Sequence, residues 1–160
     1  MDEASFRSLG RLIRSRRVAA LGTMHDGAPF VSMAPFAVAD DGGRFYLHVS
    51  RLAQHTRDML ADPRVSLLVM EGEDRDKAPQ ALARVTVVGN ADELPPSAAG
   101  YDAARACYLA RLPQSRALFD LDDFSIFAVE PVSARYVEGF GRAFTVTPDD
   151  LAGAIVAHPA

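Results

Sequence analysis

The sequence predicts a mainly β domain: a small antiparallel barrel of six or seven strands with helices on its flanks. Short apolar runs recur along the chain and are separated by Asp-Gly, Asp-Pro and Pro-Pro turn signals. The regular alternation of strand and helix that marks a parallel sheet is missing. So many strands in 160 residues must close on themselves or leave unpaired edges, which favours a barrel.

Hydrophobic periodicity predicts the elements of the first half of the chain. Apolar residues at helical spacing over residues 4–16 predict a helix within the N-terminal segment 1–16. The period then shortens, and Asp26-Gly27 separates two apolar runs, which is a strong hairpin signal. A second helix ends at Asp62-Pro63, because the residue before a proline avoids the helical conformation. The elements predicted after the first helix are strands over 18–24, 28–39 and 44–49, a helix over 52–62 with Leu52, Thr56, Met59 and Leu60 on one side, a strand over 65–70, an exposed loop over 71–79 and a strand over 82–94.

The second half of the chain begins with a helix-entry signal at Pro95-Pro96-Ser97. An apolar stripe follows at helical spacing, and two further apolar runs are separated by Glu130-Pro131. The predicted elements are a helix over 101–112, strands over 124–129 and 134–137, a bend over 139–142, and a C-terminal tail over 146–160 with a weak helix over 149–158.

The composition predicts one globular domain over residues 1–160. Hydrophobic residues make up 49% and charged residues 24%, which excludes extended disorder. A formal net charge of -4 does not fit a nucleic-acid-binding protein with a broad cationic face. Cys107 is the only cysteine, so no internal disulfide can form. The acidic N-terminus and the lack of a long apolar run predict a cytoplasmic protein without a membrane partner.

The most informative stretch is the junction at residues 47–57, where a predicted strand ends and a helix starts at once. A helix N-terminus exposes unpaired N–H groups and therefore attracts anions. Ser50 adds a hydroxyl donor and Arg51 a guanidinium that can bind phosphate in two places. His55 follows Arg51 by four residues and shares its helix face. The alternative interpretation is that Ser50 caps the helix and the cations are solvated.

Two further residues have two interpretations each. His48 alternates with apolar residues on a strand, so it either adjoins this site or is a wall residue of the barrel. Arg84 lies within the long strand over 82–94, where it either faces solvent or reaches into a site or interface. Cys107 lies in a helix without a histidine nearby in sequence, and the pairs Asp40/Asp41 and Asp122/Asp123 are explained by turn chemistry. No side chain therefore has the marks of a dedicated catalytic group.

The order of these pieces resembles the FMN-binding split barrel of the pyridoxamine 5'-phosphate oxidase superfamily. The later pieces resemble its haem-utilisation branch, the HugZ/HutZ-type proteins. The matching pieces are Gly27, Pro29 and Ser32 followed by Met33 to Phe36, the turn and helix over 50–57, the runs over 61–69 and 83–89, Asp123-Phe124, and residues 139–143.

The resemblance implies a homodimer that binds FMN in clefts between its subunits. Arg84 would reach the cleft from the neighbouring subunit. The resemblance places the remaining cofactor-binding residues as follows: Ser32, Met33 and Ala34 along the isoalloxazine ring, Ser50 and Arg51 on the phosphate, and His48 and His55 close by.

Departures from the superfamily's pattern narrow the expected activity. The chain has no tryptophan, and it lacks the arginine near Ser32 and the lysine near Phe36 that pyridoxamine phosphate oxidation uses. The expected function is therefore that of an FMN-dependent oxidoreductase acting on an unknown small molecule. One alternative is haem binding or degradation of the HugZ/HutZ type, for which His158 is the candidate axial ligand. The other is a non-enzymatic flavin carrier or sensor.

Overall fold

The computed structural model, which describes residues 1–157, contains one antiparallel sheet of seven strands. The strand order is β3-β2-β1-β4-β5-β6-β7, and β3 also pairs with β6. Six strands therefore close into a barrel, and β7 extends the sheet beyond β6, which confirms the predicted fold class. The strands are β1 (Val18–His25), β2 (Ala28–Val38), β3 (Phe45–Ser50), β4 (Arg64–Met70), β5 (Arg84–Leu94), β6 (Phe124–Gly139) and β7 (Arg142–Val146).

Four helices and two short 3-10 segments surround this barrel. Neither 3-10 segment was predicted, and the longer one, Pro113–Asp120, follows the third helix. The helices are α1 (Glu3–Ser15), α2 (Gln54–Ala61), α3 (Tyr101–Arg111) and α4 (Pro148–Val156), and the other 3-10 segment is Pro79–Ala81. Among residues 1–157, no helix combines the length and the apolar character that crossing a membrane requires.

The inward side chains of all seven strands form one apolar core together with α1 and α4. Leu21, Phe36 and Phe45 are fully buried within it. Burial of each such side chain stabilises the fold by about 1.5–3 kcal/mol. Leu9 of α1 and Ile155 of α4 join the same core, so these two helices pack together over one side of the barrel. The C-terminal tail is thus a packed helix as far as Val156.

The β1–β2 hairpin is closed by the predicted Asp-Gly turn. Asp26 and Gly27 adopt positive φ angles of 49° and 79°, which suits a tight hairpin turn. Every residue of β1 pairs with β2, from Val18 opposite Pro35 to His25 opposite Ala28. This register decides which residues of β2 face the core and which face outward.

One prediction for the region after residue 124 is wrong, and one strand there was missed. The predicted break at Glu130-Pro131 is absent, because β6 runs without interruption from Phe124 to Gly139. The register shifts instead at Gly89 of β5, which lies opposite Pro131. A proline in a sheet needs such an irregularity, since it cannot donate to the ladder. The predicted bend over 139–142 is the turn of a hairpin that leads into the unpredicted strand β7.

The predicted apolar side of α2 is also wrong in part. Thr56 and Met59 are buried as expected, but Leu52 and Leu60 are exposed. Leu52 precedes the helix, which begins at Gln54. The third buried position is a carboxylate, Asp58. A polar side chain therefore takes part in the contact between α2 and the barrel.

Candidate functional site

The junction between β3 and α2 brings Ser50 and Arg51 together with two acidic residues. Ser50 Oγ donates a hydrogen bond to Asp123 Oδ2 and accepts one from the Leu52 N–H at 3.1 Å. The Arg51 guanidinium is half exposed and pairs with Glu93 at the end of β5. The donors predicted to bind a phosphate are thus engaged by carboxylates within the chain.

The first turn of α2 has no side-chain cap. Its N-cap residue is Ala53, whose backbone is extended and whose methyl group cannot accept a hydrogen bond. The interpretation of Ser50 as the helix cap is therefore wrong, because its hydroxyl binds the Leu52 N–H outside the helix. The N–H groups of the first turn remain free of side-chain acceptors, which is the condition for attracting an anion.

The three predicted flavin-ring residues of β2 point in different directions. Ser32 faces α2, where its Oγ lies 3.0 Å from His55 Nδ1. Met33 lies on the outer face of the barrel and is 61% exposed. Ala34 is fully buried in the core, so a ligand along β2 could reach its backbone but not its methyl group. Burial lowers the pKa of His55, which keeps its imidazole neutral near pH 7.

His48 is a wall residue of the barrel, covered by α3 and the 3-10 segment that follows it. Its ring stacks on Phe119 with 3.7 Å between centroids and meets Tyr108 edge-on at 5.6 Å. Only 5% of the residue is exposed, and its Nδ1 has no hydrogen-bond partner. Burial lowers the pKa of His48 to about 4. A neutral, covered imidazole offers no charge to a phosphate at the β3–α2 junction.

Arg84 lies at the opposite end of β5 from the β3–α2 junction. Its guanidinium donates to the carbonyl of Leu82 at 3.0 Å. Glu93, which pairs with Arg51, is nine residues further along β5, a distance of about 30 Å at 3.3 Å per residue. Arg84 and Arg51 of one chain therefore do not meet at one ligand. A contribution of Arg84 to the site of a second subunit stays a prediction.

A buried carboxylate beneath α2 was missed by sequence reasoning. Asp58 is 3% exposed and accepts hydrogen bonds from Thr23 at 2.9 Å and Gln54 at 2.8 Å. His25, at the end of β1, places its Nδ1 2.9 Å from the same carboxylate. Gln54 and Asp58 are four residues apart, so their shared helix face was the available signal. No residue pattern within α2 indicated that Gln54 and Asp58 would contact β1.

The outer face of β1, β2 and β4 is apolar and open. Val31 and Met33 of β2 are 68% and 61% exposed. Val18 and Met70 on the flanking strands are also exposed. A shallow cavity of about 320 Å³ lies at the hairpin end of this face. Its lining includes Gly22, Thr23, Met24, Pro29, Phe30, Val31, Arg64, Val65 and Ser66.

Within residues 1–157, no three His, Cys, Asp or Glu side chains come together as a metal site. The described histidines are His25, His48 and His55, and each lies in a different environment. His158, the axial ligand predicted for the haem alternative, lies outside the described residues.

The fold agrees with the comparison to known families. The family model of pyridoxamine 5'-phosphate oxidase matches residues 8–138, which is most of the chain. The chain therefore belongs to this family. Within the family it belongs to the branch of the HugZ/HutZ-type proteins, since heme oxygenase HutZ of Vibrio cholerae is 30% identical over 145 residues. That match covers 86% of this chain and 78% of HutZ.

Two further relatives are longer than this chain. The chloroplastic non-canonical heme oxygenase HOZ of Arabidopsis thaliana is 39% identical over 120 residues, which cover 75% of this chain and 35% of HOZ. The structure of a heme binding protein from Mycobacterium smegmatis superposes with a TM-score of 0.83 and 28% identity. That superposition covers 96% of this chain and 62% of the solved one. The chain thus spans about a third of HOZ and less than two thirds of the mycobacterial protein.

Proposed function

We propose that this chain binds haem and that it does so as a homodimer. The observation that carries the proposal is the exposed apolar face of β1, β2 and β4. Support comes from HutZ, a heme oxygenase related to this chain over 78% of its own length. Haem is a broad apolar ring system with two carboxylates, and it needs apolar contacts together with an axial ligand from the protein.

The residues of the apolar face fit a flat ring system. Val31 and Met33 present their side chains outward from β2, while Gly22 of the neighbouring strand adds no side chain above the sheet. At the hairpin end, Phe30 lines the cavity and Arg64 supplies a cation for a carboxylate. The cavity of about 320 Å³ is at the small end for ligand pockets, so a second surface must complete the site.

A second copy of the chain is the proposed source of that surface. The register places Met33, Ala20 and Leu68 side by side across β2, β1 and β4. Thr86 of β5 continues this row, so small and apolar side chains cross four strands. Soluble monomers rarely leave so continuous an apolar face in contact with water. If two copies of the chain paired through this face, its apolar side chains would be buried and clefts would remain at the rim of the interface.

FMN is the second candidate cofactor, and a different observation favours it. The first turn of α2 is uncapped, and Ser50 and Arg51 precede it, separated from it by Leu52 and Ala53. These groups suit the phosphate of a flavin mononucleotide. The carboxylates of Glu93 and Asp123 oppose this assignment, because a phosphate dianion must displace them from the same donors. On the outer face Arg64 is likewise paired with a carboxylate, that of Asp62, but the apolar contacts proposed for the haem ring meet no such competition.

Titration of the purified chain with ferric haem and, separately, with FMN tests both candidates. We expect a saturable change of the haem Soret band at one haem per chain, and little quenching of FMN fluorescence. FMN binding without haem binding would overturn the haem proposal in favour of the flavin. Binding of neither would overturn both.

A surface variant tests whether haem binds on the apolar outer face of β1, β2 and β4. Val31→Asp places a charge on the apolar face and should weaken haem binding at least tenfold, because the charge must be desolvated beneath the ring. Leu118→Asp is the matched control, since Leu118 is also exposed but lies on the 3-10 segment Pro113–Asp120. Equal haem affinity of the two variants would place haem elsewhere on the molecule.

A further inference from the structure

A polar groove lies between α1, the loop that follows β4 and the end of β6. Its volume is about 360 Å³, which is at the small end for ligand pockets. Arg11 and Arg16 line it from α1 and the residue that ends this helix, and Lys77 lines it from the loop. Tyr136 of β6 is fully buried and forms the floor of the groove. The groove is therefore separate from the apolar outer face of β1, β2 and β4.

The hydroxyl of Tyr136 is buried and has no hydrogen-bond partner within the described part of the chain. It lies at the groove end of the ring, because the charged groups that act on it include Glu138, Glu71 and Arg11, which all line the groove. Burial raises the pKa of Tyr136 to about 12, so the hydroxyl keeps its proton. Native proteins almost always pair a buried hydroxyl with protein, water or ligand. This hydroxyl is free to donate to a molecule in the groove.

Arg16 supplies a second buried donor without a partner. Its Nε has no hydrogen-bond acceptor among the described residues. Its guanidinium lies beside Gly72 of the loop, where a Cβ atom would stand 3.3 Å from Nη1. A guanidinium can only donate, and it stays charged at any physiological pH. A ligand that satisfies Arg16 must therefore bring oxygen acceptors, and a negative charge is favoured.

The two carboxylates that line the groove are neutralised by cations within the chain. Glu71 accepts a hydrogen bond from Lys77 Nζ at 2.7 Å. Glu138 pairs with Arg142 at 3.1 Å. These carboxylates therefore do not compete strongly with an anion for the remaining donors of the groove.

Two cations of the groove are left without such a pair. Across residues 1–157, neither Arg11 nor Arg16 forms an ion pair with a carboxylate, although both line the groove. Arg11 is exposed, whereas Arg16 is half-buried. The groove thus combines an unpaired cation at its mouth with an unpaired guanidinium and an unpaired hydroxyl deeper inside.

We propose that this groove is a second ligand site, which binds a small anion through a phosphate or carboxylate group. Arg16 and Tyr136 bind the oxygen atoms of this group, and Arg11 adds a positive charge at the mouth. The planar donors of a guanidinium match the oxygens of either group. The site goes beyond the proposed haem-binding function and does not depend on it, because none of these residues lies on the apolar outer face.

Amide chemical-shift titrations of the isotope-labelled chain, without haem or flavin, test the site. The probes are sodium phosphate and, separately, sodium acetate, with sodium chloride holding the ionic strength constant. We expect saturable binding of at least one probe at millimolar concentration, with shifts at the groove, and the probe that binds more tightly identifies the group. Arg16→Gln and Tyr136→Phe should each weaken binding about tenfold or more. Arg116→Gln is the matched control, since Arg116 is exposed on the segment Pro113–Asp120, and it should bind like the wild type.

Urea unfolding of the anion-free variants separates a ligand-binding role of Tyr136 from a structural one. Tyr136→Phe removes a hydroxyl that has no partner in the described structure, so stability should be unchanged or higher. A marked loss of stability would mean that the hydroxyl is bonded within the chain, and it would overturn the assignment of Tyr136. A wild type that binds neither probe, or equal affinities of Arg16→Gln and Arg116→Gln, would overturn the site. Either result leaves the haem titration unaffected.

Discussion

The sequence predicted the position of Arg51 in the fold but not the carboxylate that its guanidinium binds. Its position at the junction of β3 and α2 agrees with the prediction, but the helix begins only at Gln54 and the Arg51 guanidinium pairs with Glu93. Exposed ion pairs of this kind contribute about 1 kcal/mol or less to stability. The pair therefore matters more for ligand binding than for the fold.

Arg51→Ala and Glu93→Gln should move the weak FMN binding expected of the junction in opposite directions. Loss of Arg51 removes one charged hydrogen-bond donor and should weaken FMN binding by about 2 kcal/mol. Glu93→Gln frees the guanidinium from a competing carboxylate and should strengthen FMN binding. Fluorescence titration of FMN measures both effects. Urea unfolding of each apo-variant should show a change below about 1 kcal/mol. Two FMN affinities equal to that of the wild type would remove the junction from any phosphate site.

His48 should make the folded chain sensitive to mild acid. Burial, with a smaller effect from Arg105, lowers its pKa from 6.5 to about 4. The unfolded chain therefore takes up this proton first as the pH falls. Stability is fully present above pH 6.5 and is lost between pH 6.5 and about 4.

His48→Phe tests this pH dependence, because phenylalanine can keep the stack on Phe119 without titrating. Between pH 7 and pH 5 the wild type should lose up to about 2 kcal/mol more unfolding free energy than the variant. Urea unfolding at the two pH values measures the difference. Parallel losses in the two proteins would mean that the folded structure accepts a proton on His48.

At the scale of elements, β5 and β6 depend on a close backbone approach. A Cβ atom at Gly89 would lie 2.4 Å from the carbonyl oxygen of Glu130, and neither backbone can move independently of the ladder. The approach coincides with the register shift opposite Pro131. The irregularity thus allows β6 to continue through a proline.

Gly89→Ala should lower the free energy of unfolding by about 1–3 kcal/mol, because the new methyl group overpacks this approach. Gly139→Ala is the matched control in the same strand pair, since its Cβ would meet the Ala81 carbonyl at an ordinary 3.5 Å. We expect the control to change stability by about 0.5 kcal/mol or less. Thermal or urea unfolding of both variants gives the comparison. Equal stability of the two would show that β5 relaxes around the substitution.

At the scale of the whole molecule, the barrel and its helices leave one side uncovered. The helices α1 and α4 pack together, and α2 and α3 contact other parts of the barrel. The outer face of β1, β2 and β4 keeps Val31, Met33 and Met70 exposed. A stable interface of more than about 1,000 Å² on this face would withdraw them from water.

Light scattering should therefore give the mass of a dimer for the wild type and of a monomer for Met33→Asp. Met33 contributes little to the core, so the variant should keep its fold while its charge prevents the two faces from pairing. Leu118→Asp, exposed on another part of the surface, should remain dimeric. A wild-type mass equal to one chain would contradict the proposed dimer.

Much of the fold could be predicted from patterns of residues that are close together in sequence. Two apolar runs on either side of the Asp26-Gly27 turn predicted β1 and β2, and helical spacing predicted α1. These elements could be predicted because a strand or a hairpin is favoured by residues close together in sequence. The strand β7 and the continuity of β6 could not be predicted in this way, since a proline inside a strand needs an irregularity of the ladder, which is here the extra residue Val132 of β6.

By itself, the sequence determined a chain of strands that must close, and it placed Ser50 and Arg51 at the junction of a strand and a helix. Tertiary structure decided which side chains are in contact. Ser50 binds Asp123 and Arg51 binds Glu93 at the junction, and Asp58 lies beside His25. The physical reason is register. Closing a barrel brings together residues far apart in sequence, and a shift of one residue would turn every side chain of a strand to the opposite face.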